Sequence, residues 1–305
     1  MRRTVSDLGA IGFALAGFTF WVLGDTCIKL VGQSGLPAYE MVAFLGLFMV
    51  ICLSTYCLAL GRGRDLQPHR LGRQLARASL DMANNLCVVV ALRHLSLTLF
   101  YILIFMAPMV ITVLSAVFLR EGLTWRKSAA VVVGFLGVLI AVNPFGSARE
   151  GDWIGYGACL VCVACFSTNM VWSRVLTRTE TPESLAFFSG IVTTVIGFAL
   201  VLAHVEPTTG HLTGMLLTGL FGMGMFGALG TLCFYIAVKH TSAANVSQYH
   251  YTQLITGTLL TYWIWHIQPG WYVLLGGALI FAAGLYIAIS ARGVTADVAP
   301  LSEGH

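Results

Sequence analysis

The polar side chains with the most capacity to bind a ligand lie in the segment ANVSQYHYTQLITGT, residues 244–258, of an otherwise apolar chain. At about 100° per residue, a helix here would present amides, a phenol and a hydroxyl along one face. The candidates are Asn245, Gln248, Tyr249 and Thr252 on that face, with Gln253 at its margin and His250 to one side. Such groups suit a neutral or zwitterionic organic ligand, because most of them hydrogen-bond without fixing a charge. Two interpretations stay open: they line a water-filled substrate cavity, or they bond neighbouring helices together.

Two titratable groups within predicted spanning helices raise the question of proton coupling. Asp81 precedes Asn84 and Asn85 by three and four residues, so the three side chains share one side of a helix. An acid within a spanning helix is a candidate for proton coupling or for binding a substrate amine. Arg77, four residues earlier, makes a local ion pair an equal alternative. His250 is either a proton relay or a neutral, hydrogen-bonded side chain of the core.

A second polar face, in the run that follows ALRHLS, contains Thr98, Tyr101 and Pro108. Proline removes one backbone hydrogen bond and can kink the helix. Such a kink can free a carbonyl for a ligand or let half of the helix swing, and a packing kink without function is the alternative. Asn169 adds a polar group at depth in another apolar run. We expect these residues to bind substrate together with those above.

Charged residues near the predicted outer ends of the helices are candidates for a gate. Asp25 and Lys29 are four residues apart in the first apolar run, and Arg93 lies at the same predicted membrane face. A salt bridge among them would control access to the cavity. Ordinary pairing of interfacial side chains is the alternative.

Composition identifies a lipid bilayer as the environment of these residues. The chain has 305 residues, of which 57% are hydrophobic and 10% charged, and its mean hydropathy is +0.83. Ten apolar runs are each long enough to cross a bilayer as a helix. They are 8–31, 38–60, 74–93, 97–118, 126–142, 154–174, 184–204, 213–237, 243–265 and 270–290. Because the runs do not alternate like barrel strands, the sequence predicts an all-α membrane protein with ten transmembrane helices.

The basic residues favour one orientation of these helices. With the N-terminus inside, the cytoplasmic loops collect most lysines and arginines, and the outer loops hold Arg93 and Arg149. Both termini of this multi-pass plasma-membrane protein are then cytoplasmic, and the net charge of +4 reflects topology and not nucleic-acid binding. All eight cysteines fall within predicted helices, so no disulfide framework is expected. The C-x-x-C-x-x-C run at residues 159–165 is interpreted as packing, with no metal or cofactor.

The two halves of the chain are weakly similar to each other. ALRHLSLTL at residues 91–99 aligns with AVKHTSAAN at 237–245, matching an alanine, a histidine and a serine. This predicts two five-helix repeats, 8–142 and 154–290, followed by a short cytoplasmic tail, 291–305. Since five is odd, the second repeat would cross the membrane in the opposite direction. Inverted repeats allow inward-open and outward-open states around a central site.

Several motifs point to one known family. A-x-R-H-x-S and A-x-K-H-x-S stand at the two repeat turns, with Pro108, REGLTWRK, and the pair Gly277 and Gly284 elsewhere. Together they resemble the EamA family of the drug/metabolite transporter (DMT) superfamily. The resemblance implies a secondary carrier of the bacterial inner membrane, often an exporter of amino acids or related metabolites. Because Leu254 or Ile255 stands where that family has a proline, it also implies a straighter helix 9 than helix 4.

These observations predict a secondary transporter that moves a small organic metabolite by alternating access, with export and proton coupling implied by the resemblance. An amino acid or a related zwitterionic or aromatic compound is expected; flavins, nucleosides and adenosyl compounds fit about equally. A flippase for a lipid-linked intermediate is the alternative, but only Lys29 and Arg93 offer cations for a phosphate. An embedded enzyme is less favoured, because it needs convergent acids, histidines or metal ligands. The expected partners are the substrate and the bilayer, with no nucleic acid.

Overall fold

The computed structural model describes residues 7–107, 109–110, 113, 125–142, 152–203, 213–240, 246, 249–250 and 252–296. The α-helices are α1 (Asp7–Gly32), α2 (Ala38–Ala59), α3 (Leu71–His94), α4 (Leu97–Ile104), α5 (Trp125–Val142), α6 (Trp153–Leu176), α7 (Pro182–Leu202), α8 (Gly214–His240), α9 (Thr252–Trp265) and α10 (Trp271–Ala296). A short 3-10 helix, Gly63–Leu66, lies between α2 and α3. No strand occurs in these residues, so the predicted all-α fold is confirmed.

Among the described residues, six helices are long and apolar enough to cross a membrane: α1, α2, α3, α6, α7 and α8. Shorter apolar stretches lie within α5 and α10. A span of about 20 residues matches the thickness of the hydrocarbon core. The total of ten spans and the cytoplasmic position of both termini stay predictions.

Local sequence explains where several helices begin. The Ser96 hydroxyl accepts a hydrogen bond from the Leu99 amide at the start of α4, and the Asp152 carboxylate accepts one from Gly155 at the start of α6. Thr181 caps α7 in the same way, with a proline as its first residue. These side chains satisfy amides that have no partner within the helix itself.

The helices of the two halves pack in matching pairs. Helix α2 packs on α7, α4 on α9, and α5 on α10; α1 packs on α8 as α3 packs on α6. Helices α2, α4 and α5 each contact the helix at the same position in the second half. Helices α1 and α3 instead contact each other's counterparts, α8 and α6. Two repeats related by an approximate two-fold axis produce this pattern.

Glycines allow the closest of these contacts. A Cβ atom added to Gly17 of α1 would lie 3.1 Å from the Gly230 carbonyl oxygen of α8. A Cβ at Gly197 of α7 would lie only 2.6 Å from the Ala43 Cα of α2. Small residues let helix backbones approach in this way, which is the main source of helix association in lipid.

Two helices are interrupted beside the centre of the molecule. Helix α4 ends at Ile104, a turn follows at Phe105–Met106, and Ala107 is again helical. The sequence accounts for this break, since Pro108, which lies outside the described residues, has no amide to bond the Ile104 carbonyl.

A turn also interrupts the run at 243–265, for which the resemblance implies a straighter helix than helix 4. His250 lies in a turn, and α9 begins at Thr252. The Thr252 hydroxyl donates to the backbone carbonyl of Tyr249 at 2.7 Å, and the backbone N–H of Gln253 donates to the backbone carbonyl of His250 at 3.0 Å. Both bonds reach back three residues instead of four, so they compete with the regular helical pattern.

The loop between α2 and α3 is fastened to the start of α7. Glu180, only 2% exposed, accepts hydrogen bonds from the backbone amides of His69 at 3.0 Å and Arg70 at 2.9 Å. Arg62 forms an ion pair with Glu183 at 2.7 Å. Burial favours the neutral acid, but the two amides outweigh it and hold the pKa of Glu180 below its ordinary value. This end of the molecule therefore has a charged connection between the halves.

Candidate functional site

A central cavity is enclosed by side chains from α1, α2, α3, α4, α6, α7, α8 and α9, so both halves of the chain contribute to it. Its polar lining is Asp25, Asp81, Asn84, Asn85, Asn169, Ser189, Thr231 and Gln253. Its aromatic lining is Trp21, Phe100, Tyr101, Phe166, Phe234, Tyr235 and His250. A cavity of this kind can hold an organic ligand by stacking and by directed hydrogen bonds.

Arg77 of α3 is fully buried beside this cavity, behind the lining residues Asp81, Ser189 and Tyr235. Its Nη1 lies 2.7 Å from Asp81 Oδ2, one turn further along α3, and 2.5 Å from the Tyr235 hydroxyl of α8. Its Nη2 donates to the Leu185 carbonyl at 2.7 Å and to Ser189 Oγ at 2.8 Å, both in α7. A planar guanidinium suits such multiple bonding. Arg77 therefore joins three helices that belong to both halves.

The Asp81 carboxylate is satisfied on both oxygens. Oδ1 accepts from the Asn169 amide, and Oδ2 accepts from Arg77 and from Ser189 Oγ. The side-chain oxygen Oδ1 of Asn169 in turn accepts a hydrogen bond from Ser173 Oγ at 3.2 Å. Of the two alternatives for Asp81, the ion pair with Arg77 is formed, and the Asp81 side chain lines the cavity.

Asp25 of α1 is held differently from Asp81. Its Oδ2 accepts a 2.6 Å hydrogen bond from the Tyr101 hydroxyl of α4. Lys29, one turn further along α1, donates instead to the carbonyls of Leu92 at 3.1 Å and Leu95 at 2.6 Å. The i, i+4 salt bridge between Asp25 and Lys29 is therefore not formed. The helix end is the reason, since the last carbonyls of α3 lack partners within their own helix and attract the ammonium.

Aromatic rings cover a continuous part of the cavity wall. The Trp21 ring centroid lies 5.0 Å from that of Phe234 and 6.4 Å from that of Phe166. The imidazole of His250, which is 5% exposed, stacks on Phe18 at 5.0 Å and lies 5.5 Å from Phe166. These rings can stack on a planar ligand or attract a cation.

The structure brings many of the predicted site residues together. Asp81, Asn84, Asn85, Tyr101, Asn169, His250 and Gln253 all line the cavity. Gln253 donates through Nε2 to the Phe18 carbonyl at 3.3 Å, and its Oε1 has no hydrogen-bond partner among the described residues. Asp25, predicted as a gate residue, lines the cavity as well.

Other predicted residues lie elsewhere. Thr98 is buried and Tyr249 half-buried, and neither lines the cavity, nor does Thr252. Lys29 and Arg93 are near the last turn of α3, where Arg93 is exposed. The remaining candidates, Pro108, Asn245 and Gln248, fall outside the described residues.

Sequence reasoning missed several residues of this site. The spacing of Arg77 and Asp81 predicts a local ion pair, but nothing in the sequence indicates that Arg77 also bonds α7 and α8. The hydroxyls of Tyr235 and Ser189 also accept hydrogen bonds from Arg77. Because tyrosine and serine are common in apolar helices, the sequence does not mark these two residues. Trp21 and Phe234 carried no signal beyond being aromatic, because lipid-facing and cavity-facing rings have the same side chains.

Comparison with known proteins supports one family. A family model described as "EamA-like transporter family" matches residues 8–143 and 153–289. Two relatives are an S-adenosylmethionine uptake transporter of Rickettsia bellii, 23% identical over 92% of this chain and 94% of that protein, and a riboflavin transporter of Rhizobium johnstonii, 26% identical over 92% and 90%. A third is the pseudopaline exporter CntI of Pseudomonas aeruginosa, 25% identical over 93% and 97%.

A solved structure titled "Crystal structure of protein" covers 93% of this chain and 98% of its own, with a TM-score of 0.67 at 19% identity. That likeness shows the same fold. The six long apolar helices and the bacterial transporters among its relatives show a multi-pass protein of the bacterial inner membrane. The family model covers most of the chain in two consecutive matches, which is the two-repeat architecture. The chain therefore belongs to the EamA-like transporter family, within the DMT superfamily.

Proposed function

We propose that this protein is a secondary transporter that moves a small organic metabolite through the central cavity by alternating access. The observation that carries the proposal is the cavity itself, which both repeats build from aromatic and hydrogen-bonding side chains inside apolar helices. A carrier needs its site between two parts that can move relative to each other, so that either side can open.

The proposed topology has ten spans, an inverted second repeat and both termini in the cytoplasm. The basic loop before α3 is then cytoplasmic, as the distribution of arginines favours. The outer ends of α1 and α3 meet where Lys29 bonds the carbonyls of Leu92 and Leu95. We place the outer gate at this contact, with Arg93 beside it. Asp25 belongs instead to the binding site.

The proposed substrate is an amino acid or a related zwitterionic or aromatic compound. Support comes from the ring surfaces of Trp21, Phe166 and Phe234 and from the amides of Asn84 and Asn85. Relatives at low identity are named for S-adenosylmethionine, riboflavin and pseudopaline, and each of these molecules combines polar groups with unsaturated or charged parts. Export is the favoured direction and proton coupling the favoured energy source, both from the family resemblance.

The first experiment is a ligand screen on the purified protein in detergent. Amino acids, nucleosides, riboflavin and S-adenosylmethionine are added in turn, and the apparent melting temperature is measured. A compound that binds only the native state raises this temperature by mass action. Each hit is then assayed for flux into proteoliposomes.

Two tryptophan variants locate the binding site. Trp21→Leu removes an indole from the cavity, whereas Trp263→Leu removes one that is 70% exposed on the outer face of α9. We expect the hit to stabilise the unmodified protein and Trp263→Leu but not Trp21→Leu. If Trp21→Leu responds like the unmodified protein, the cavity is not the binding site. If no compound binds or crosses the membrane, the small-metabolite proposal is wrong.

A further inference from the structure

We infer that the cavity takes a substrate with a positive charge beside a planar ring, and that Asp25 binds the charge. This inference rests on the proposed function in one respect, namely that the cavity is the substrate site. It narrows the substrate class from zwitterionic or aromatic metabolites to organic cations that carry a flat group.

The two acids that line the cavity, Asp25 and Asp81, differ in their charged partners. Asp81 is neutralised by Arg77 at 2.7 Å, and the fully buried guanidinium faces other protein groups on its remaining sides. Asp25 lies within 4.0 Å of no lysine, arginine or histidine nitrogen in the part of the chain that the structure describes. Its described partner is the neutral hydroxyl of Tyr101. The described lining therefore has one carboxylate in excess.

Lys29, on the same helix as Asp25, already bonds other groups. Lys29 Nζ donates to two carbonyls at the end of α3 and lies 5.7 Å from the centre of the Trp265 ring. An unpaired carboxylate in the interior of a membrane protein is costly, and such groups are found with a counter-charge. Uptake of a proton by Asp25 removes this cost, and so does a bound cation, which the neighbouring aromatic rings also attract.

Aromatic rings line the same cavity as Asp25. Trp21 precedes Asp25 by one turn of α1, so its indole and the carboxylate lie on the same face of that helix. Phe234 and Phe166 extend this ring surface, with centroids 5.0 and 6.4 Å from that of Trp21. Aromatic faces attract cations and also stack on planar groups. A ligand with both features would contact the carboxylate and the rings at once.

The same charge balance disfavours an anionic substrate. The guanidinium of Arg77 lies beside the cavity. It bonds Asp81, Tyr235, Leu185 and Ser189, so it points into the protein and not towards a ligand in the cavity. A carboxylate or phosphate without a positive partner of its own would face Asp25 with no described cation to offset the repulsion. Uncharged ligands would leave Asp25 without a counter-charge.

Three indole compounds test the inference directly, because they share the ring and differ in charge. Tryptamine is a cation, tryptophol replaces its amine by a hydroxyl, and indole-3-propionate is an anion. Dissociation constants are measured by calorimetry on the purified full-length protein at pH 7. We expect tryptamine to bind about tenfold or more tightly than tryptophol, and indole-3-propionate to bind most weakly.

Variants assign the preference to one carboxylate. Asp25→Asn should remove the preference for tryptamine over tryptophol, whereas Asp65→Asn, which changes an acid of the exposed loop, should preserve it. If Asp25→Asn does not fold, the order of the three probes on the unmodified protein still decides. Equal binding of tryptamine and tryptophol, tighter binding of indole-3-propionate, or no binding of tryptamine would overturn the inference.

Failure of this inference differs from failure of the proposed function. If neutral or anionic compounds from the metabolite screen are transported and tryptamine has no advantage, the inference is wrong and the transporter proposal stands. If no compound is transported but tryptamine binds with the expected selectivity, the site is confirmed and the transporter proposal loses its support.

Discussion

Replacement of Arg77 by methionine tests whether the ion pair at the cavity wall holds the two repeats together. The substitution keeps an unbranched side chain but removes the guanidinium and its bonds of 2.5 to 2.8 Å to Asp81, Tyr235, Leu185 and Ser189. Arg77 is 0% exposed, so water cannot replace these bonds without opening the helix contacts. The Asp81 carboxyl would then have only the donors of Asn169 and neighbouring hydroxyls as partners.

The expected loss is large because one partner of a buried pair is removed. Breaking such a pair costs about 3 to 5 kcal/mol, much of which is the penalty of the charge left behind. A second substitution, Asp81→Asn, removes that charge and should recover about 2 kcal/mol of the loss. The matched control is Arg73→Met, which changes an exposed arginine one turn earlier on α3 and should cost no more than about 0.5 kcal/mol.

The assay is a double-mutant cycle on the free energy of unfolding. Each purified variant is unfolded in mixed micelles of increasing sodium dodecyl sulfate content, and helicity is followed by circular dichroism. The structural interpretation would be refuted if Arg77→Met were as mild as Arg73→Met. It would also be refuted if Asp81→Asn destabilised the Arg77→Met protein as much as it destabilises the unmodified one, because two contacting residues should not be additive.

Two further predictions concern the contacts between repeats. Glu180→Gln should lower the free energy of unfolding at neutral pH by about 1 kcal/mol, because the carboxylate caps the amides of His69 and Arg70. Since the folded pKa of Glu180 lies below its ordinary value of 4.5, the stability that it contributes is complete above pH 4.5 and is lost as pH falls through the folded pKa. Acid titration of unfolding should therefore be shallower in Glu180→Gln, and an unchanged slope would contradict this. Gly197→Ala should destabilise the protein by about 1 to 3 kcal/mol in the same assay, because the new methyl would lie 2.6 Å from a backbone carbon of α2. Gly12→Ala, with nothing within 4 Å, is the control and should be neutral or slightly stabilising; similar losses in both would contradict the close-packing interpretation.

The fold was largely predictable because lipid imposes a strong constraint on sequence. In apolar runs of membrane-spanning length, a helix forms the backbone hydrogen bonds within the segment itself. The described spanning segments are helical. Polar groups inside those runs had to face protein or water. This reasoning found Asp81, Asn84, Asn85 and Asn169, which line the cavity.

The remaining parts of the site depend on which helices become neighbours. Arg77 is fully buried because α3 packs against α6 and α7, and Tyr235 of α8 reaches it from the other repeat. Trp21 and Phe234 belong to a chain with 7 tryptophans and 18 phenylalanines, so residue type could not separate cavity rings from lipid-facing ones. Asp25 was placed with Lys29 by i, i+4 spacing, but the open carbonyls at the end of α3 bind the lysine.

The most direct measurement is the accessibility of the central cavity from each side of a sealed membrane. Thr231 lines the cavity, and Thr231→Cys in a chain whose eight native cysteines are replaced gives a single reactive thiol there. A membrane-impermeant thiol reagent is added to right-side-out or to inside-out vesicles. Alternating access predicts labelling from both sides, with protection by any compound that the protein transports. Labelling from one side only, with no protection, would contradict a carrier that opens this cavity to each side in turn.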